Sequence, residues 1–197
     1  MRIVSISENQ IIEKRIAITP EIAKKYTALG FEISLCVNYG VHLGFKDSEY
    51  KELGVKILKD EKEIINSADV IVQLGLLPDD IISLVKKNQI LIGVLDPYSN
   101  KKKIDQLVKN DINIFSLDLL PRITRAQSMD ILSSQANLAG YKAVIESFAS
   151  FKKAIPMMMT AAGTIPAAKV LVVGAGVAGL QAIATAKRMG AIVFATD

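Results

Sequence analysis

The 197-residue chain is poor in the residues that most often mark an exported scaffold or a nucleophilic site: it has one cysteine and one histidine. Cys36 lies inside the apolar run Phe31 to Val37, a setting for a buried thiol in a reducing compartment, and one cysteine excludes a disulfide framework. His42 falls in the loop-like stretch Tyr39-Gly-Val-His-Leu-Gly44, where a structural or surface role is simplest; no metal site is read from the chain. Lys plus Arg exceed Asp plus Glu by only 24 to 20, and the surplus is spread over helix-like segments without a basic block or an Arg/aromatic array, so a nucleic-acid partner is not expected. No basic, apolar, small-residue leader opens the chain, which predicts a cytoplasmic location. A membrane-length apolar run is missing as well. Ala154 to Ala186 is apolar enough to imitate one, but Pro156, Gly163 and Pro166 break its first half and three more glycines follow. No stretch of roughly 20 apolar residues is therefore helical throughout, and any membrane attachment must come through another polypeptide.

What the chain does have is 50% hydrophobic residues, ample for a buried core, in an alternating pattern. Short β-branched runs at Ile3 to Ser7, Glu32 to Val37, Val55 to Leu58, Val70 to Leu74, Ile90 to Leu95 and Ile112 to Leu117 are strand candidates. The segments between them read as helices. Thr19-Pro20-Glu21 supplies an N-cap, a proline at the first helical position and an acid in the first turn, and the helix ends at Gly30. Asp47 to Leu53 with Gly54 repeats the pattern. Alternating strands and helices predict an α/β domain over 1–121, a parallel sheet of flavodoxin-like or Rossmann-like type covered on both faces.

From Pro121 the texture changes. Thr124-Arg-Ala-Gln127 fits a capping box, which predicts one long linking helix over 122–152. Met129, Leu132, Ala136, Ala139 and Ala143 form one stripe on it, read as buried packing; Gln127, Asp130, Ser134 and Asn137 form a polar stripe, with Ser133 beside it. Residues 153–197 then read as the opening β-α-β of a second Rossmann domain. Lys169-Val-Leu-Val-Val-Gly174-Ala-Gly176-Val-Ala-Gly179 is a buried strand turning into a helix, and Asp197 stands at the end of the next strand. In such units the first glycine makes the tight turn, the second admits the pyrophosphate to the backbone and the third lets helix and sheet pack closely. The helix start offers unpaired N–H groups to the phosphates. Gly174, Ala175, Gly176, Val177 and Gly179 are thus the predicted cofactor cradle. Asp197 would hold the ribose hydroxyls and repel a 2′-phosphate, which favours NAD over NADP.

A resemblance extends this reading. Arg122-Ile-Thr-Arg125-Ala-Gln127-Ser-Met-Asp130-Ile-Leu-Ser133-Ser-Gln-Ala-Asn137-Leu-Ala-Gly140-Tyr141 resembles the signature of the NAD(H)-binding domain of proton-translocating NAD(P) transhydrogenase, in the alanine dehydrogenase/transhydrogenase family. Gly174 to Asp197 is similar to the same domain's nucleotide turn, and Arg15-Ile-Ala-Ile-Thr-Pro20 to its N-terminal segment. The resemblance implies that Arg122, Gln127, Asp130 and Ser133 lie beside the nicotinamide and orient it for direct hydride transfer, a task without a protein nucleophile. It also implies NADP(H) on a partner component, membrane-spanning transhydrogenase components that translocate protons, a homodimer, and a location peripheral to the inner membrane through those partners.

Two further readings stay open. Alanine dehydrogenase shares the architecture and surrounds its keto acid with an arginine, a lysine and a histidine. Arg15 matches the arginine, but Asp69-Val-Ile-Val-Gln73-Leu-Gly-Leu-Leu-Pro78 has no lysine and Leu91-Ile-Gly-Val-Leu-Asp96-Pro-Tyr98 no histidine, so proton transfer lacks its acid/base. The other is a truncated, non-catalytic product, because the family's NAD(H) domain continues beyond the point matching Asp197. That reading predicts that the chain alone binds NADH weakly or not at all and leaves apolar faces uncovered at Val170 to Val173 and Ile192 to Ala195. A separate chain, a dimer or loose packing could each answer the exposure.

Overall fold

A computed structural model describes all residues, 1–197, as two compact units, Met1–Pro121 and Arg122–Asp197. In the first unit six strands, β1 (Arg2–Ser5), β2 (Glu32–Cys36), β3 (Lys56–Leu58), β4 (Val70–Val72), β5 (Ile90–Gly93) and β6 (Asn113–Ser116), form one parallel sheet ordered β3-β2-β1-β4-β5-β6. Of the two doubly wound orders this is the Rossmann one, not the flavodoxin one. Its register is set by pairs such as Val4↔Ser34 and Ile71↔Leu91. Central strands of a parallel sheet are buried on both faces, so they must be apolar almost continuously. Val4, Ile33, Leu35, Ile71 and Leu91 meet that condition and are buried.

The connections are α1 (Pro20–Ala28), α2 (Asp47–Glu52), α3 (Glu61–Asn66), α4 (Asp79–Ile82) and α5 (Lys101–Lys109). α1 starts where its residues predict: Thr19 is the N-cap, its hydroxyl accepts from the Ile22 amide, and Pro20 occupies the first turn. α3 is capped in the same way by Asp60, whose carboxylate accepts from the Lys62 amide. Ile64, Ile65, Ile81 and Ile82 of the short helices seal the sheet.

The second unit departs from the sequence expectation at its start. The helix predicted from residue 122 begins nine residues later. Thr124–Met129 is a 3-10 turn without a side-chain cap, and the α-helix, α6, runs Ile131–Ser150. Asp130 is its N-cap: one carboxylate oxygen accepts the Ser133 N–H at 2.9 Å and the other its O–H at 2.6 Å. A carboxylate three residues before a free amide is a better cap than a threonine whose hydroxyl makes no bond, and it restarts the helix there. The packed face of α6 differs too. Gly140 and Val144 are buried with Ala136 half-buried, whereas Ala139 and Ala143 of the predicted stripe are exposed.

After α6 comes a hairpin absent from the sequence reading, β7 (Met158–Thr160) paired antiparallel with β8 (Gly163–Ile165). Then β9 (Lys169–Val173), α7 (Val177–Arg188) and β10 (Ile192–Thr196) make the expected β-α-β, with β9 and β10 parallel from Lys169↔Ile192 to Val173↔Thr196. Val170 and Val172 are half-buried, while Leu171 is 67% and Val173 80% exposed. No helix is long and apolar enough to cross a membrane.

Candidate dinucleotide site

The site is built at the end of β9. Gly174 takes φ +99, a left-handed conformation that L side chains rarely adopt, and so reverses the chain at the strand end. Its N–H donates to the Thr196 carbonyl at 2.7 Å, and the next amide, Ala175, donates to the Asp197 carboxylate at 3.1 Å. Two consecutive amides thus tie the turn to the end of β10 and bring the acidic residue against the turn. Gly176 is the N-cap of α7 and offers no side-chain oxygen, so the first-turn N–H groups have no cap. A Cβ at Gly176 would meet nothing within 4 Å, which leaves space above the bare helix start. Gly179 is the opposite case. A Cβ there would overlap the Gly174 carbonyl, 2.8 Å from its carbon, so only glycine lets α7 pass this close to the turn.

Two adjoining cavities lie against this turn. One, about 380 Å³, is lined by Gly174, Gly176, Val177 and Gly179 on the turn side and by Arg122, Ser133 and Ala136 facing them. The other, about 390 Å³, is lined by Arg122, Gln127, Asp130 and Ser133, with Val177 at the shared wall. The four residues predicted beside the nicotinamide therefore line one cavity, and Arg122, Ser133 and Val177 belong to both. Ala175 and Asp197 line neither cavity and are joined to each other by their hydrogen bond.

The electrostatics are set by the cap. The Ser133 hydroxyl and then the Ser133 amide hold the Asp130 carboxyl below the usual carboxylate range, with the Arg122 charge adding to the effect. Asp130 is thus ionised at neutral pH. Ser133, whose hydroxyl donates to Asp130, presents its lone pairs as an acceptor. The arrangement offers acceptors at Ser133 and Asp130, and a guanidinium and a carboxamide at Arg122 and Gln127. The sequence reading did not foresee that Asp130 is a helix cap, although an aspartate followed three residues on by an uncapped amide is a recognisable signal.

In the first unit, Arg15, the one residue matched to the keto-acid chemistry, is engaged by a carboxylate, and Gln73 and His42 have partners of their own. Arg15 makes a two-toothed contact with Glu13, at 2.9 and 2.6 Å. Gln73 is buried and bonded to Ser5, Ile6 and Glu8. His42 is exposed and meets the Lys14 carbonyl at 2.8 Å.

A glycine turn, a bare helix start and a strand-end acid in this arrangement are the features of the dinucleotide-binding α/β proteins. The chain belongs to the alanine dehydrogenase/PNT family: residues 5–139 match that family's N-terminal domain and residues 143–197 its C-terminal domain. It is 47% identical over its whole length to the first portion of NAD(P) transhydrogenase subunit alpha from Rickettsia prowazekii, covering 52% of that protein. Against the protein of the same name from Rhodospirillum rubrum it is 46% identical and covers 53%. The chain thus spans about half the length of the curated relatives it matches. Among solved structures, a transhydrogenase from Sinorhizobium meliloti superposes with a TM-score of 0.90 at 44% identity, over 98% of this chain and 58% of that one. An L-alanine dehydrogenase shares the fold, with a TM-score of 0.81 at 21% identity over 100% of this chain and 55% of that one. Alanine dehydrogenase 1 of Staphylococcus aureus is a more distant relative, 26% identical over 74% of this chain and 38% of that protein.

Proposed function

We propose that this chain forms the NAD(H)-binding side of a proton-translocating NAD(P) transhydrogenase, passing hydride from NADH to NADP+ held on a separate component. The observation that carries the reading is the meeting of Arg122, Gln127, Asp130 and Ser133 in a cavity that adjoins the glycine turn and shares its walls. The turn fits a dinucleotide: the space above Gly176 is what a pyrophosphate needs, and the first-turn amides of α7 are unpaired donors for it. The bound cofactor supplies the hydride chemistry; the chain supplies place and orientation. Asp197 receives the ribose hydroxyls and disfavours a 2′-phosphate. Ser133 and Asp130 would accept from the carboxamide NH2, and Gln127 and Arg122 would donate to its carbonyl, which would fix the face of the ring that is presented. Such orientation is worth much of the barrier in a transfer that needs no protein nucleophile.

Partners follow from this role. An NADP-binding component brings the second ring, and membrane-spanning components carry protons and hold this chain at the membrane's cytoplasmic face. A homodimer belongs to the same reading. Alanine dehydrogenase activity is disfavoured because no lysine or histidine stands where its proton transfers need one, and Arg15 is engaged by Glu13. The test combines the chain, with the remainder of its nucleotide domain, and NADP-binding and membrane components, and follows transfer from NADH to an NADP analogue. Gln127→Ala and Arg122→Ala should each slow turnover with a smaller loss of NADH affinity. NADH oxidation driven by pyruvate and ammonium would overturn the assignment.

A further inference from the structure

We infer that Gly140, which lines neither cavity, is a positioning residue that sets the spacing between the glycine turn and the residues facing it; this rests on the dinucleotide reading above. Gly140 lies in the middle of α6, on the face turned to α7. A Cβ built on it would overlap the carbonyl oxygen of Ala178, 2.8 Å from the carbonyl carbon and 3.0 Å from Cα. These are backbone atoms and cannot rotate away. Ala178 stands in the first turn of α7, next to Val177 and one residue from Gly179. A close approach of the two helices is therefore made at the start of α7, whose first residues line the cavity.

The consequence runs along α6. Ser133 and Ala136 lie seven and four residues before Gly140, on the same helix face by the i, i+4, i+7 rule, and both line the cavity opposite Gly174, Gly176 and Val177. One stiff helix thus carries both the contact that fixes the distance and the side chain that uses it. With a methyl at position 140, α6 must retreat by on the order of 1 Å to regain ordinary carbon contacts of ~3.5–4.0 Å. Ser133 and its cap Asp130 would retreat from the turn with it. A ligand reaching from the turn to Ser133 would feel the change, whereas a ligand held by the turn alone would feel it less. A glycine in the interior of a helix lowers that helix's stability, so the position is costly unless a close approach needs it.

The experiment compares NADH with ADP-ribose, which keeps the pyrophosphate and adenosine but lacks the nicotinamide ring. Both are titrated by NMR into the full chain as wild type, Gly140→Ala and Val144→Ala. Val144 is the next buried residue on the same face, so its truncation loosens α6 against α7 without wedging them apart. Expected is at least a tenfold loss of NADH affinity in Gly140→Ala, with ADP-ribose weakened less than threefold and Val144→Ala within about twofold of wild type for both. Equal losses of the two ligands in Gly140→Ala, or no loss, would overturn the positioning role while leaving the nucleotide site standing. A wild-type chain that binds neither ligand at millimolar concentration would overturn the proposal together with the dinucleotide reading of this chain on its own. Should Gly140→Ala not fold, the wild type still decides: both ligands should slow amide exchange at 177–179, NADH alone should slow it also at 139–141, and NADH protection confined to 177–179 would count against the proposal.

Discussion

The Tyr39 hydroxyl carries more of the first unit than its single oxygen suggests. The residue is buried, and its oxygen accepts the amides of Ala17 and Ile18 at 3.1 and 3.2 Å while lying 2.8 Å from Ser5 Oγ. Ser5 donates its own proton to Gln73 Oε1, so Tyr39 is the donor to Ser5 and every proton in the chain of bonds has a place. Burial first, against weaker opposition from these bonds, pushes the phenol from 10.0 up to about 12. Between those values the folded protein holds a proton that the unfolded chain has lost, so stability falls as pH rises through that window. Tyr50, buried and donating to the Ile18 carbonyl, is raised for the same reason and adds to the loss. Tyr39→Phe should cost about 1 to 3 kcal/mol, because two amides and the Ser5 oxygen lose their partner. It should also shrink, not abolish, the alkaline decline. Urea unfolding at neutral pH and between pH 10 and 12 checks both; a Phe variant as stable as wild type would show that the hydroxyl is idle. At this scale the sequence was legible for residues whose type has few uses, such as Gly174 at a strand end. It was mute for Tyr39, whose hydroxyl depends on partners from two other segments, Ser5 and Ala17–Ile18.

Elements were legible where periodicity and caps agreed. All six strands of the first sheet overlap the β-branched runs that announced them, and Thr19-Pro20-Glu21 starts its helix. Strand ends ran long in the reading because Ser7 and Leu74 are apolar-run neighbours that leave the ladder to form the loops around Glu8. The β7–β8 hairpin was missed because its residues are exposed on both faces and show no alternation. The start of α6 was misplaced because two caps competed in sequence and only geometry chooses between them. That choice is testable. Asp130→Ala removes the acceptor of both the Ser133 amide and its hydroxyl and should fray the first turn of α6, seen as loss of helical Cα shifts at 131–134. Asp130→Asn keeps a competent cap and should leave those shifts in place while removing the charge. The Asp130 carboxyl sits below its ordinary range, so the cap is intact at neutral pH and weakens as pH falls through the carboxylate range. An Ala variant with an unchanged first turn would return the helix start to Thr124.

At the scale of the whole molecule, the two units are built on unequal cores. The buried hydrophobic cluster consists of first-unit residues, from Ile3 to Ile112, and includes the fully buried Ile18, Leu35, Ile65, Ile82 and Leu91. The second unit buries little beyond Ala126, Val144, Ala168 and Ala186, and leaves Leu171, Val173 and Phe194 exposed. Composition could not reveal this asymmetry, because the apolar stretch from Ala154 to Ala186 looks as core-like as any in the chain. What decides is how much cover the strands find: the central strands of the first sheet are buried on both faces, whereas β9 and β10 form a two-stranded sheet with exposed residues. Local opening costs least where least apolar surface is buried, so amides of 158–197 should exchange faster than those of β1, β2, β4 and β5. A ligand that binds only the folded unit stabilises it by mass action, and on the proposed function the Gly174 turn and Asp197 would put the binding free energy into the weaker unit. NADH at millimolar concentration should therefore slow exchange in β9, the first turn of α7 and the end of β10, and leave the first sheet unchanged. NADPH should do so less, because its 2′-phosphate meets the Asp197 carboxylate. Hydrogen exchange read by mass spectrometry separates the outcomes: equal protection by the two nucleotides would remove Asp197 from the ribose, and protection centred on the first sheet would move the site out of the second unit altogether.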